Sequence, residues 1–115
     1  MNSNAYDCGS VKPLSELFKL LAAPNRLKIL CSLGLECRPV SDIIEATGLS
    51  QTNVSFHLRS LREAGVVRPE RRGAFIYYCL PDPEILRLLD EFRHWVEDLG
   101  NSNNVAPQKK KVSRR

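Results

Sequence analysis

Asp42-Ile-Ile-Glu-Ala-Thr-Gly48-Leu-Ser50-Gln-Thr-Asn-Val-Ser-Phe-His-Leu-Arg-Ser-Leu-Arg-Glu-Ala-Gly65, followed by Val66-Val-Arg-Pro-Glu-Arg-Arg-Gly73-Ala-Phe-Ile-Tyr-Tyr-Cys79-Leu80, is the stretch that decides the fold. It reads as a helix, a Gly turn, a second helix and a two-stranded basic hairpin. Ser50 is a good N-cap, because its hydroxyl can accept one of the backbone N–H groups that a helix start leaves unpaired. Val54, Leu58 and Leu61 fall on one face at i, i+4 and i+7, and Gly65 stands where a helix end favours a left-handed residue. The opposite face presents Thr52, Ser55, Phe56, Arg59 and Ser60, flanked by Gln51, Asn53 and Arg62. Arg, Gln and Asn pair with base edges, and a major groove admits a helix that carries them. The segment from Ser50 is the expected recognition helix, and double-stranded DNA its expected partner.

The remaining composition allows one domain. The 115 residues bury one modest core, and chains of this size are often stabilised further by oligomerisation. No stretch approaches the ~20 apolar residues of a membrane span and no secretion signal opens the chain, so a cytoplasmic location with no membrane partner is expected. Four cysteines at irregular spacing, without a Cys-x-x-Cys pair, point to reduced thiols rather than a disulfide framework.

The net charge of +4 hides a division. Residues 1–100 hold 12 Lys and Arg against 13 Asp and Glu, so the excess lies in Lys109, Lys110, Lys111, Arg114 and Arg115. Within the domain, Ser50 to Gly73 carries five Arg against two Glu, whereas Asp82 to Asp98 carries six acids against two Arg. A basic face for phosphates and an acidic far end would orient the protein on DNA.

Outward from the deciding stretch the pattern is helical. Residues 1–10 read as a flexible arm. Pro13 suits a helix's first turn, with Leu14, Leu17, Phe18 and Leu21 as an apolar stripe. Pro24 opens a second helix through Leu33, ended by Gly34, and Ser41 is the expected cap of a third, short helix that ends at Gly48. Phe75 to Leu80 is aromatic and β-branched enough for a strand, with Arg71-Arg72-Gly73 as the turn from a partner strand near Val67. Asp82-Pro83-Glu84 opens a final helix to Leu99. The expected fold is mainly α with a small β-hairpin: four helices, two strands and a fifth helix over residues 11–100, then a disordered basic tail over 101–115.

The final helix repeats Ile85, Leu88, Leu89, Phe92, Val96 and Leu99 on one face, with Trp95 adjacent. This is more apolar surface than so small a core covers. It packs either on its own domain or, the favoured reading, in a two-fold interface formed by Ile85, Leu88, Leu89, Phe92 and Val96 with Leu14, Leu17, Phe18 and Leu21.

Leu17 to Leu30 (Leu-Phe-Lys-Leu-Leu-Ala-Ala-Pro-Asn-Arg-Leu-Lys-Ile-Leu), Gly48 to Val67 and Arg72 to Tyr78 together resemble the ArsR/SmtB family of winged-helix repressors, over roughly residues 12–98. The resemblance implies a homodimer through the first and last helices that binds an inverted-repeat operator and leaves it when an inducer binds. It implies that Gln51, Thr52, Asn53, Ser55, Phe56 and Arg59 face the groove and that Arg71 and Arg72 reach phosphate or the minor groove. His57, in the family's Ser-x-His-Leu motif, buttresses the helix more often than it touches a base. Phe56 either meets a thymine methyl or tucks against the third helix.

The inducer is less legible. Where the family's arsenic and cadmium branches place a Cys-x-Cys pair, this chain has Pro39 and Ser41. His94-Trp-Val-Glu97 matches half of the zinc branch's site, while Pro81 and Pro83 stand where the other half belongs. Cys31 resembles a thiol of the persulfide-sensing branch, with Glu97 at the partner position. The candidates are Cys37 with Cys8 or Cys31, ahead of Cys79, taking a thiophilic metal or metalloid ion or a persulfide. A small organic metabolite remains the alternative. No resident cofactor is required by the pattern.

An enzyme would need a nucleophile beside a base, a Gly-rich phosphate loop or paired carboxylates, none of which the pattern offers. A non-specific architectural DNA-binding protein, using the Lys/Arg tail, is the rival of another class.

Overall fold

Glycine and proline punctuate the helices. The computed structural model describes residues 5–103, beginning with α1 (Val11–Leu21) and α2 (Pro24–Leu33), which has Pro24 in its first turn and Gly34 just beyond its end at φ 61°. Next come β1 (Arg38–Pro39) and α3 (Val40–Thr47), closed by Gly48 in the left-handed region with its N–H donating to the Ile44 carbonyl. Then α4 (Gln51–Glu63) opens on Ser50, whose Oγ accepts the N–H of Asn53 at 3.1 Å. The strands β2 (Arg68–Arg72) and β3 (Phe75–Cys79) and the long α5 (Glu84–Asn103) complete the order. This is a winged helix-turn-helix with five helices, as expected, and a wing of three strands rather than two.

The chain falls into two units, one up to Pro81 and one from Asp82. In the first, α2 packs against α3 and α4. Ile29, Leu30 and Leu33 of α2, Ile43 of α3, and Val54, Leu58 and Leu61 of α4 are buried, each worth about 1.5–3 kcal/mol of transfer free energy. The i, i+4, i+7 stripe of α4 thus sits in the core and turns Gln51, Thr52, Asn53, Ser55, Phe56, Arg59 and Arg62 outward. Leu21 of α1 is buried and Leu17 half-buried, whereas Leu14 and Phe18 are exposed.

The strand order is β1-β3-β2, both pairings antiparallel, with Pro39 opposite Tyr77 and Pro69 opposite Tyr78. Proline has no N–H, so both prolines take slots whose nitrogen points away from the central strand, where the ladder loses no bond. Arg38 opposite Tyr78 and Arg68 opposite Cys79 therefore take the bonded slots.

In the second unit, Asp82 Oδ1 accepts the N–H of Glu84, a cap at the start of α5. One flank of α5 is an ion-pair ladder: Arg87 with Glu84 and Glu91, Arg93 with Asp90 at 2.8 Å and Glu97 at 3.0 Å. Leu88, Phe92, Trp95, Val96 and Leu99 are exposed along the helix, and Ile85 and Leu89 are half-buried. No helix among the described residues is long and apolar enough to cross a membrane.

Three boundaries differ from expectation. Pro39, not Ser41, precedes α3, because β1 runs directly into that helix. Arg71 and Arg72 lie in β2, not in the turn, which is Gly73-Ala74 with Gly73 at φ 64°, since the register holds Arg72 opposite Phe75. The last helix continues to Asn103 instead of ending at Leu99, and so runs into the expected tail. The basic cluster from Lys109 onward, like residues 1–4 of the expected arm, lies outside the described residues.

Candidate nucleic-acid interface

The outward face of α4 offers two kinds of chemistry to a groove. Gln51, Thr52, Asn53, Ser55, Arg59 and Arg62 bring amide, hydroxyl and guanidinium groups, all exposed. Phe56, 60% exposed, brings an apolar ring that stands edge-on to His57 at 5.2 Å. Phe56 is thus presented to solvent, where a thymine methyl can meet it.

His57 and Ser60 face a different partner. Arg26, near the start of α2, donates from Nε to His57 Nδ1 at 3.1 Å and from its second terminal nitrogen to Ser60 Oγ at 3.3 Å. Its first terminal nitrogen donates to the Leu20 carbonyl of α1 at 3.0 Å. One guanidinium therefore ties the end of α1 and the start of α2 to the middle of α4, and the accepting Nδ1 requires His57 to be neutral there. Partial burial first, and the Arg26 charge second, lower the His57 pKa from its ordinary 6.5. The buttressing reading of His57 fits this geometry. Arg26 was missed in the sequence because nothing in its neighbourhood along the chain points to α4.

The wing is basic on both faces. Arg71 is exposed and donates to the Gly73 carbonyl at 3.4 Å. Arg72, on the other face, pairs with Glu70 at 3.3 Å and stacks over the Tyr77 ring at 4.5 Å. Held this way, Arg72 lies along the sheet.

That same face carries Cys37, Cys79 and Glu70. Continuing the β1–β3 register one step beyond Arg38 and Tyr78 sets Cys37 opposite Cys79 in a slot without ladder bonds, where side chains approach most closely; their Cα atoms are 4.2 Å apart. The two sulfurs form a disulfide. Glu70 Oε1 lies 3.4 Å from Cys37 Sγ and 3.3 Å from Cys79 Sγ. Reduced thiols throughout were expected, with Cys37 beside Cys8 or Cys31; instead Cys8 and Cys31 are free and exposed, and Cys37 meets Cys79. Cys79 is buried. The cause is that β1 is only two residues long and gives no strand signal, so the pairing that sets Cys79 against Cys37 is invisible in the sequence.

Among the described residues of one chain, the metal sites that the family resemblance suggests are incomplete. Pro39 and Ser41 supply no thiolates at α3, and on α5 His94 Nδ1 sits 2.9 Å from the Asp90 carbonyl while Glu97 pairs with Arg93. Cys37, Glu70 and Cys79 bring three donor atoms within 4.8 Å, but two bonded sulfurs do not offer two thiolates.

Comparison with known proteins agrees with this architecture. The family profile described as "Bacterial regulatory protein, arsR family" matches residues 23–68, from just after α1 to the start of β2. The chain is 39% identical over 97 residues to the HTH-type transcriptional regulator NmtR of Mycobacterium tuberculosis, covering 84% of this chain and 81% of that one. The crystal structure of M. tuberculosis Rv0081 superposes with a TM-score of 0.72 at 36% identity, over 83% of this chain and 95% of the other. A solution structure of a homodimeric winged helix-turn-helix domain, Mb0332 of Mycobacterium bovis, described as a possible ArsR-family regulator, gives 0.64 at 25% identity over 96% and 100%. The chain belongs to the ArsR family of bacterial regulatory proteins and is a DNA-binding regulator of transcription, not an enzyme.

Proposed function

We propose that the protein is a homodimeric repressor that occupies an inverted-repeat operator and is released from it by a thiol-reactive inducer. The observation that carries the reading is the division of α4: Val54, Leu58 and Leu61 fix one side in the core, and Gln51, Asn53, Arg59 and Arg62 are left free to pair with base edges. Ser50 positions the helix start, and Arg71 and Arg72 extend the contact to phosphate or the minor groove. The exposed apolar residues of α1 and α5, Leu14, Leu88, Trp95 and Val96 among them, supply a two-fold interface, and the homodimeric Mb0332 domain supports that assembly. Two such helices on a two-fold axis read a palindrome with half-sites about one DNA turn apart. A thiol-reactive inducer is supported by the meeting of Cys37, Cys79 and Glu70 at the wing. Such a regulator works in the cytoplasm.

The test is a fluorescence titration of the reduced protein against duplexes selected by it from a random pool. A specific regulator binds the selected palindrome about 10³-fold or more tighter than random duplex at physiological salt. A ratio near one identifies an architectural protein and ends the reading. Replacing all four cysteines with Ser then tests the inducer: retained repression with retained release by the natural inducer would transfer the role to a small organic ligand.

A further inference from the structure

We propose that Cys37 and Cys79 are a redox-active dithiol, closed into the disulfide by a peroxide, and that Glu70 passes the change to Arg72 and so weakens the grip of the wing on DNA. The inference rests on the reading of Arg72 as a phosphate contact and names the chemistry of the thiol-reactive inducer.

The pair sits where a covalent link has leverage. Its disulfide spans 42 residues, and the loop it closes contains α3, α4, β2 and the wing turn, the entire DNA-reading unit. The pairing is also set by backbone register, so the reduced sulfurs stay opposed across the two strands and close without a search. Their exposures differ: Cys79 is buried and Cys37 is only half-buried. Cys37 therefore attacks and Cys79 resolves. The Cys37 thiolate takes an oxygen from the peroxide, whose O–O bond breaks and whose remaining oxygen leaves as an alcohol or water after taking up a proton. Cys79 then attacks the Cys37 sulfenic acid, the S–O bond breaks, the S–S bond forms, and water departs. Two thiols have lost two electrons and two protons, and one peroxide has been reduced. A low-molecular-weight dithiol reverses the link by exchange.

Glu70 connects this chemistry to the DNA surface. In the reduced state the two S–H groups can donate to Oε1, which in the disulfide lies 3.3 and 3.4 Å from the two sulfurs. In the disulfide neither sulfur carries a hydrogen, and the same carboxylate oxygen turns to Arg72, 3.3 Å away. Oxidation thus leaves Arg72 as the principal donor to Glu70, folded back over Tyr77, and removes it from the phosphates.

The experiment compares the full-length protein, reduced with a dithiol and then oxidised with stoichiometric hydrogen peroxide, on the palindrome selected above. Peptide mapping should show Cys37 linked to Cys79. Affinity should fall about threefold per protomer, about tenfold for a dimer, with a shallower salt dependence, and return on re-reduction. Cys37→Ser and the near-isosteric Cys79→Ser should bind as the reduced protein does and ignore peroxide. Glu70→Gln should still form the disulfide yet lose the affinity change. The inference is overturned if peroxide leaves both thiols intact, if the disulfide forms without changing affinity, or if Glu70→Gln responds as fully as the wild type. It is equally overturned if these thiols capture Cd²⁺ and ignore peroxide. Failure of the reduced wild type to prefer the palindrome would instead sink the repressor reading, whatever the thiols do.

Discussion

Arg26 donates to Nδ1 of His57 across 3.1 Å, joining the start of α2 to the middle of the recognition helix, and this bond exists only while the imidazole is neutral. The two residues are 31 apart in the chain. The His57 pKa lies below its unfolded value near 6.5, so the folded state resists protonation that the unfolded state accepts. Stability is then full above pH 6.5 and declines as pH falls from there through the lower folded value. Thermal melts between pH 7.5 and pH 5 should show this decline, and His57→Gln should flatten it. An unchanged slope in that variant would assign the acid sensitivity elsewhere.

Arg26→Ala removes three hydrogen bonds at once. A loss of about 1–3 kcal/mol in denaturant unfolding is expected, with weaker operator binding from a less firmly seated α4. Arg26→Lys should recover little, because an ammonium cannot span the three acceptors as a planar fork does.

Gln51→Ala and Arg59→Ala should each relax discrimination at one operator position, by about 1–3 kcal/mol, in competition titrations against base-substituted duplexes. Arg71→Ala and Arg72→Ala should weaken every duplex alike and lower the salt slope by about one. If the wing variants changed base preference and the helix variants did not, the groove assignment would be reversed.

Leu89→Glu with Phe92→Glu should give a monomer by light scattering, with operator binding lost and the winged unit still folded by circular dichroism. A monomeric wild type would sink the interface outright.

Leu61→Ala truncates a side chain with no solvent exposure where α4 meets the core. A loss of about 2–5 kcal/mol in urea unfolding is expected, whereas Phe56→Ala, on the exposed side of the same helix, should change stability far less.

What could be read from the chain and what could not divides by distance. The helices were legible because their signals are local: Ser50 caps three residues ahead, Gly48 and Gly65 stand at helix ends with positive φ, and the Val54, Leu58, Leu61 stripe repeats within one element. The outward face of α4 follows from that stripe by geometry, and the hairpin from the aromatic and β-branched run after Gly73. Non-local relations stayed hidden. A two-residue strand carries no alternation to detect, so β1 was missed, and with it the juxtaposition of Cys37 and Cys79. Arg26 gives no local signal, because its value lies in the acceptors of α1 and α4. Glu70 touches both sulfurs and Arg72 only because the strand pairing brings them together.

The outward-facing nitrogens of Pro39 and Pro69 bear on how the protein behaves when concentrated. Both strands at the margins of the sheet carry one, and β2 adds Arg68, Arg71 and Arg72. A passing strand seeking to zip onto either margin finds a missing donor, and on β2 a cationic fringe as well. Strand addition at either margin of the sheet is therefore disfavoured, and the protein resists edge-to-edge association.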